Sequence, residues 1–180
     1  YIHTEFVGDI PKIMVPQDGS SGGNKKTFPV AFSKQTVLSS ITTVDFPHVF
    51  AAREEMRSWG FLQLNPEDLS KPSLQQPGMQ DFISTSGKNM AAALHRIKVE
   101  NPYSMTEISR TINKFLPNFI EVIVDDDKAN RQFIIKLKSE DGKEFSSRVL
   151  SEGTLRLIAL CILDLDESHS GVLCFEEPEH

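Results

Sequence analysis

The chain has 180 residues, of which 39% are hydrophobic, and its formal net charge at pH 7 is −6. This length and apolar content can bury a hydrophobic core, whereas the net negative charge makes the whole chain a poor ligand for the polyanionic backbone of nucleic acid. Both cysteines lie in apolar runs, no run is long enough to span a bilayer, and no signal peptide opens the chain, so we expect a cytoplasmic protein with reduced thiols and no membrane insertion.

The first 35 residues are predicted to be an irregular, loop-rich segment. Few apolar positions recur with a helical or strand period over residues 1–30, and the Gly- and Ser-rich stretch 18–26 has the composition of a flexible loop. Residues 36–118 are then predicted to form a mainly helical lobe. Within it, Ser, Pro and Gln are frequent over residues 70–86, which predicts a surface loop.

The helical lobe contains amphipathic patterns and one short apolar run. The predicted elements, in chain order, are a helix over 46–59, a strand over 61–64, a turn or helix start over 65–68 and a helix over 89–99. A further helix is expected after Pro102, with a capping box formed by Ser104 and Glu107 at its start. Pro117 is expected to end this helix.

Residues 119–180 combine strands with one more helix. After residue 118 the apolar period changes to two, and turn residues at 125–130 and 141–142 predict an antiparallel meander. Ser151 is predicted to cap a helix with one apolar face. Residues 172–175 form a continuous apolar run, the pattern of a strand buried on both faces in a parallel sheet. These elements predict an α/β fold.

The end of this last strand carries two carboxylates. Glu176 and Glu177 follow the strand directly and are expected on opposite sides of it, at the edge where open α/β sheets bind ligands. One carboxylate can hold Mg²⁺, directly or through water, while the other orients or deprotonates an attacking water. One helix earlier, Ser151 and Gly153 lie at a helix N-terminus, where backbone N–H groups can approach a phosphate.

These two stretches resemble motifs of ABC-type ATPases. Leu150-Ser-Glu-Gly-Thr154 resembles their signature motif, with Glu152 and Thr154 where transporters usually have Gly and Gln. Val172-Leu-Cys-Phe-Glu-Glu-Pro178 resembles their Walker B strand. The closer resemblance is to the RecF/SMC-like group of predicted ATPases, in which a Leu-Ser-[Asp/Glu]-Gly-Thr-Leu-Arg stretch precedes a Glu-Glu-Pro-Glu-[Asn/His] strand end. Including segments 60–72 and 87–96, the resemblance covers about residues 36–180.

The resemblance implies a partial P-loop NTPase fold. It implies an ABC/SMC-like ATPase head in which a helical segment and an antiparallel β-meander precede the signature helix and the Walker B strand. It also implies ATP and Mg²⁺ as ligands, and a homodimer in which ATP is held between the Walker A loop of one head and the signature helix of the other. Carried over to this sequence, Glu177 would be the general base and Glu176 the Mg²⁺-associated acid, while the signature residues Ser151, Gly153 and Thr154 would contact ATP bound to the partner head.

The phosphate-binding Walker A loop is not found in this sequence. Gly87-Lys-Asn89 lacks the Ser or Thr that must follow the lysine, and Lys26-Thr27 is preceded by Lys25 where the motif has glycine. We therefore expect the chain to be part of a longer ATPase that carries this loop upstream, and we expect the fragment alone to be inactive. The expected function is ATP-driven head dimerisation in DNA repair, recombination or anti-phage defence, with DNA or a nuclease as a further partner.

Two other functions remain open. A nucleotide-binding subunit of an ABC transporter would keep the same chemistry with a membrane protein as partner, although the Glu-Glu-Pro-Glu end and the absence of a Gly-Gly-Gln signature argue against it. A non-catalytic interaction module would carry the same acids as surface groups. Asp125–Asp127 is interpreted as a solvated hairpin, and His95 and His169 as structural residues without metal-ligand spacing.

Overall fold

The computed structural model of the chain describes residues 2–17, 25–31, 34–41, 46–75, 82–167 and 171–176. The chain forms two compact units, Tyr1–Trp59 and Gly60–His180. The boundaries predicted after residues 35 and 118 both lie inside these units, and the three-domain division stays a prediction.

The first unit contains a three-stranded antiparallel sheet, in the order β1-β2-β3, and two helices. Its elements are β1 (His3–Val7), β2 (Ile10–Pro16), β3 (Lys25–Pro29), α1 (Val37–Ser40) and α2 (Pro47–Arg57). A small apolar cluster contains Val15 of β2, Val37 of α1 and Val49 of α2. Helix α2 confirms the helix predicted over 46–59, and its first residue is a proline, whose fixed φ suits that position.

The prediction of an irregular segment over residues 1–35 was wrong. Strands β1 and β2 form a regular hairpin in which His3 pairs with Met14 and Val7 with Ile10, and Gly8 adopts a left-handed φ of 64° at its turn. All of β1 is exposed, and Val15 is the buried residue of β2. Because neither strand has a fully buried face, the alternation of apolar and polar residues that identifies a strand is missing from the sequence. The predicted flexible stretch 18–26 lies mostly outside the described residues.

The second unit contains the remaining strands and helices. Its elements are β4 (Gly60–Leu62), α3 (Pro66–Ser70), β5 (Ser73–Leu74), α4 (Met90–Glu100), α5 (Tyr103–Phe115), β6 (Phe119–Asp127), β7 (Gln132–Ser139), β8 (Glu144–Ser146), a 3₁₀ turn (Ser147–Val149), α6 (Glu152–Leu165) and β9 (Leu173–Phe175). Strands β6, β7 and β8 confirm the predicted meander, with β7 pairing antiparallel to β5, β6 and β8. A separate parallel pair joins β4 and β9.

Helices α4 and α5 contact both the four-stranded sheet and helix α6. Helix α6 also contacts α3, so it is packed on several sides. Its buried positions include Leu155, Ile158 and Ile162, which belong to the same core cluster as Val122 of β6 and Leu137 of β7. The core of the second unit therefore fixes α6 relative to the meander.

Two local predictions in this unit need correction. Ser104 was predicted to cap α5, but it lies inside the helix and is buried, and α5 has no side-chain cap from Pro102. The Asn101 side chain instead accepts a hydrogen bond from the Tyr103 backbone N–H at 3.2 Å, so the helix starts earlier than the capping box indicates. The loop predicted over 70–86 contains strand β5, whose pairing with β7 a Ser- and Pro-rich stretch does not reveal; residues 76–81 lie outside the described residues.

A buried ion pair joins α4 to the end of α6. Arg96 donates from Nη2 to Asp166 Oδ2 at 2.6 Å, and the Asp166 side chain is only 4% exposed. Burial alone would lower the pKa of Arg96, but the hydrogen bond to Asp166 and the charge of that carboxylate raise the pKa above its ordinary value. The ion pair holds the residue that follows α6 against α4.

Removing one side of this pair should destabilise the protein. We expect Arg96→Ala to lower the free energy of unfolding by about 3 kcal/mol, because it leaves the Asp166 carboxylate buried without its main cation. The matched control is Arg57→Ala, which breaks an exposed pair with Glu54 at 3.5 Å and should cost less than about 1 kcal/mol. Chemical denaturation of the two variants measures the difference, and equal losses would contradict a buried role for Arg96.

Two buried serines allow a matched test of side-chain hydrogen bonding. Ser73 and Ser147 are each 2% exposed. Ser147 donates from Oγ to the Ser70 carbonyl oxygen at 2.8 Å, whereas Ser73 Oγ has no hydrogen-bond partner among the residues that the structure describes.

Alanine substitution should destabilise the protein at Ser147 but not at Ser73. We expect Ser147→Ala to lower the free energy of unfolding by about 1–2 kcal/mol, because the Ser70 carbonyl loses its donor. Ser73→Ala should leave stability unchanged or raise it by up to about 1 kcal/mol, because it removes a hydroxyl that is desolvated without compensation. Urea unfolding of both variants decides the sign, and a large loss on Ser73→Ala would show that Ser73 has a partner.

Candidate functional site

The carboxyl ends of β4 and β9 lie side by side. In this parallel pair Phe61 is in register with Cys174 and Leu62 with Phe175. The backbone ladder continues at the end of the strands, where the Glu176 N–H donates to the Leu62 carbonyl oxygen at 3.0 Å. This hydrogen bond fixes the backbone of Glu176 directly beyond β9, at the sheet edge where the sequence predicted the acid to lie.

The parallel pairing of β9 is confirmed, but its predicted burial on both faces was wrong. Leu173 and Phe175 pack against the core cluster on one face. Residues of the other face are more open, with Phe61 65% and Val172 45% exposed. Within the described residues this sheet has only two strands.

Glu176 borders two cavities at the strand ends. The larger, of about 490 Å³, is lined by Phe61, Gln63, Thr85, Ser86, Cys174 and Glu176, among others. The second, of about 330 Å³, shares Gln63, Ser86 and Glu176 with the first and adds Asn65 and Arg156. The exposed Glu176 therefore lies beside open space that polar residues also line.

Gln63 and Ser86 were not among the site residues predicted from the sequence. Gln63 follows β4 as Glu176 follows β9, so it is a polar residue delivered to the same sheet edge by the neighbouring strand. The signal was present, since the predicted strand over 61–64 already ends near this position. Ser86 could not have been found in this way, because its loop reaches the edge through the backbone contact of the Asn65 N–H with the Ser86 carbonyl oxygen at 2.9 Å.

The Gly87-Lys88-Asn89 stretch has a structural role here. Gly87 is buried with a φ of +92°, and a Cβ at this position would lie 2.4 Å from Leu69 Cδ2. The Lys88 backbone N–H donates to Ser84 Oγ at 2.9 Å within the same turn. The glycine is therefore required by a left-handed turn packed on α3, in agreement with the sequence argument that this stretch is not a phosphate loop.

The start of α6 is a capped and partly open helix tip. Ser151 Oγ accepts a hydrogen bond from the Thr154 backbone N–H at 3.3 Å, which confirms the predicted N-cap. Ser151 and Gly153 are exposed, and a Cβ built on Gly153 would meet no atom within 4 Å. Thr154 differs from this pair, because its side chain is buried and its hydroxyl lies 2.8 Å from Ser151 Oγ.

Arg156 connects the two predicted parts of the site, which are the start of α6 and the end of β9. This residue lies one turn into α6 and lines the same cavity as Glu176. Its guanidinium binds Glu152, the acidic residue in the first turn of the helix, at 2.7 Å. The structure thus brings Glu176 close to the first turns of α6, whereas the predicted general base, Glu177, lies outside the described residues.

The strand end, as far as the structure describes it, supplies only part of the ligand set that Mg²⁺ requires. Among the described residues, no group of three or more His, Cys, Asp and Glu side chains could hold a metal ion by itself. Mg²⁺ bound with nucleotides commonly needs only one or two carboxylates, with waters and phosphate oxygens as its other ligands. The exposed Glu176, which lines a cavity with Gln63 and Ser86, fits that kind of site.

Comparison with known proteins identifies the chain at the level of family. In the parts of the chain that the structure describes, no helix is long and apolar enough to cross a membrane. No curated protein and no solved structure matches the chain. Residues 3–180 match the family described as "AAA domain, putative AbiEii toxin, Type IV TA system". The chain therefore belongs to this AAA-domain family, which has an α/β P-loop NTPase-like fold and ATPase-type nucleotide chemistry.

Proposed function

We propose that the chain supplies the signature helix and the Walker B strand of an ABC-type ATPase head of the RecF/SMC-like class. The observation that carries the proposal is that two motifs distant in sequence lie near the same cavity. The exposed tip of α6 leads to Arg156, which lines one cavity with Glu176 at the end of a parallel strand. In the proposed head, ATP would lie against these strand ends, and the α6 tip would close over ATP bound to a second copy.

Each residue has a proposed role set by its chemistry. Glu176 would hold Mg²⁺, directly or through water, and Glu177 would take a proton from the attacking water. The bound Mg²⁺ would neutralise charge on the phosphates during transfer. Ser151 and Gly153 would present the backbone N–H groups of α6 to the partner's nucleotide. Thr154 would act indirectly, because its buried hydroxyl is hydrogen-bonded to Ser151 and shapes the tip.

The proposed setting is head dimerisation in DNA repair, recombination or anti-phage defence, in the cytoplasm and with DNA or a nuclease as a possible further partner. The family description names a toxin of a Type IV toxin–antitoxin system, which is compatible with a defence role. Two partly buried lysines of the meander are poor candidates for a DNA contact. Lys136 pairs with Asp125 at 2.7 Å and Lys138 with Glu121 at 3.6 Å, so acids of the same sheet neutralise them.

Glu177→Gln in the complete protein tests the assigned base. We expect this variant to form nucleotide-dependent dimers and to hydrolyse ATP at least about 100-fold more slowly, because proton removal from the attacking water is lost. The matched control is Glu167→Gln, which removes an exposed carboxylate from the connection that follows α6 and should keep wild-type turnover. Steady-state phosphate release measures both, and wild-type turnover in Glu177→Gln would reject the role.

The Gly153→Ala variant distinguishes an effect on folding from an effect on the contact between the α6 tip and a second head. The added methyl meets nothing within 4 Å in the isolated chain, and alanine is the better helix former, so the free energy of unfolding should stay equal or rise by up to about 1 kcal/mol. If a second head brings phosphates against the tip, the same methyl should weaken nucleotide-dependent dimerisation about tenfold or more.

Gly87→Ala provides the contrasting case for this test. A methyl at Gly87 collides with Leu69 and requires a strained φ, so the variant should unfold more easily than the wild type. Denaturation and light scattering with a non-hydrolysable ATP analogue measure the two effects. Undiminished dimerisation of Gly153→Ala would argue against the α6 tip as a contact surface and in favour of an interaction module.

A further inference from the structure

We infer that Arg156 is a positioning residue that neutralises Glu152 and so allows the tip of α6 to accept phosphate. The inference rests on the proposed function and assigns a role to a position at which the sequence departs from the usual signature. Transporter-type signatures have glycine where this chain has Glu152. A carboxylate at that position requires an explanation if the tip is to meet a polyphosphate.

The ion pair between these residues is well formed. Arg156 donates from Nε and Nη2 to the same Glu152 oxygen, Oε1, at 3.2 and 2.7 Å. The residues are four apart on α6, the spacing at which helix side chains meet. The Arg156 side chain is 15% exposed, whereas that of Glu152 is 48% exposed. The cation is thus set into the protein surface, and the carboxylate remains at the solvent-facing tip.

The negative charge of Glu152 opposes the binding of anions at the start of α6. Backbone N–H groups at the start of α6 attract anions, and Gly153 leaves them accessible. An uncompensated carboxylate in the same turn would repel a triphosphate, and repulsion between charges a few ångströms apart at a protein surface can reduce affinity by about tenfold. Arg156 cancels this charge and draws the carboxylate towards the next turn of the helix.

The position of Arg156 also connects the tip with the strand end. Its side chain lines the cavity of about 330 Å³ that contains Glu176, Gln63 and Ser86. One arginine therefore lines a cavity with the acid proposed for Mg²⁺ and binds the acid at the proposed contact with the partner head. A change at either acid would alter the electrostatic environment of the other through Arg156.

Charge removal in single and double variants tests this role in the complete protein. The variants are Arg156→Gln, Glu152→Gln and the two combined, and the readout is the concentration of a non-hydrolysable ATP analogue that gives half-maximal dimer with Mg²⁺. We expect Arg156→Gln to raise this concentration about tenfold, because Glu152 is then unneutralised. The double variant should return to within about threefold of the wild type, because no charge is left to compensate.

The salt dependence of dimerisation and a control variant at a second arginine distinguish charge neutralisation by Arg156 from a purely structural role. The defect of Arg156→Gln should shrink as ionic strength rises, because salt screens repulsion between exposed charges. Arg110→Gln removes an exposed arginine of α5 that lines a different cavity, and this variant should behave like the wild type.

Two results would overturn the inference. A double variant as weak as Arg156→Gln would mean that Arg156 contacts phosphate itself or only supports the fold. Wild-type behaviour of Arg156→Gln at low salt would mean that the ion pair has no role at the tip. If the wild-type protein forms no nucleotide-dependent dimer, the proposed function fails and this inference fails with it. If the wild type dimerises and only the variants disagree, the proposed function stands.

Discussion

The burial of helix α6 is the constraint on which the rest of the second unit depends. Its residues Leu155, Ile158, Ala159 and Ile162 are at most 2% exposed, and the helix contacts α3, α4 and α5. Each large apolar side chain removed from water contributes about 1.5–3 kcal/mol, so the helix can neither rotate nor slide without losing several such terms. The residues at both ends of α6 are therefore held in a fixed orientation.

The two ends of α6 use that rigidity in different ways. At the start, the Ser151 cap satisfies one backbone donor, while Gly153 leaves the surface of the tip bare. At the other end, Asp166 is tied to Arg96 of α4, which fixes where the chain leaves towards β9. Because α6 is anchored in this way, its first turn can stay exposed while its last turn fixes where the chain leaves towards Glu176.

Electrostatics at the site follow from where water can reach. Glu176 lies beyond the last rung of a short parallel ladder, beside cavities that keep its carboxylate solvated. Arg156 is more enclosed and holds Glu152, so the cation is the fixed member of the pair and the acids are the accessible ones. This arrangement leaves the Glu176 carboxylate available to a cation, while Arg156 neutralises Glu152 at the start of α6.

Local sequence determined the elements whose signals are local. The apolar period and serine cap of α6, the proline start of α2 and the alternation of the meander each arise from interactions within one element or between neighbouring strands, so they were predictable. Only the tertiary structure decided the N-terminal sheet, whose exposed strands lack alternation, and the start of α5, where Asn101 replaced the expected cap. It alone brought Ser86 and Arg156 to Glu176, because cavities form where distant segments pack, and packing depends on the shape of the whole core rather than on any one stretch of sequence.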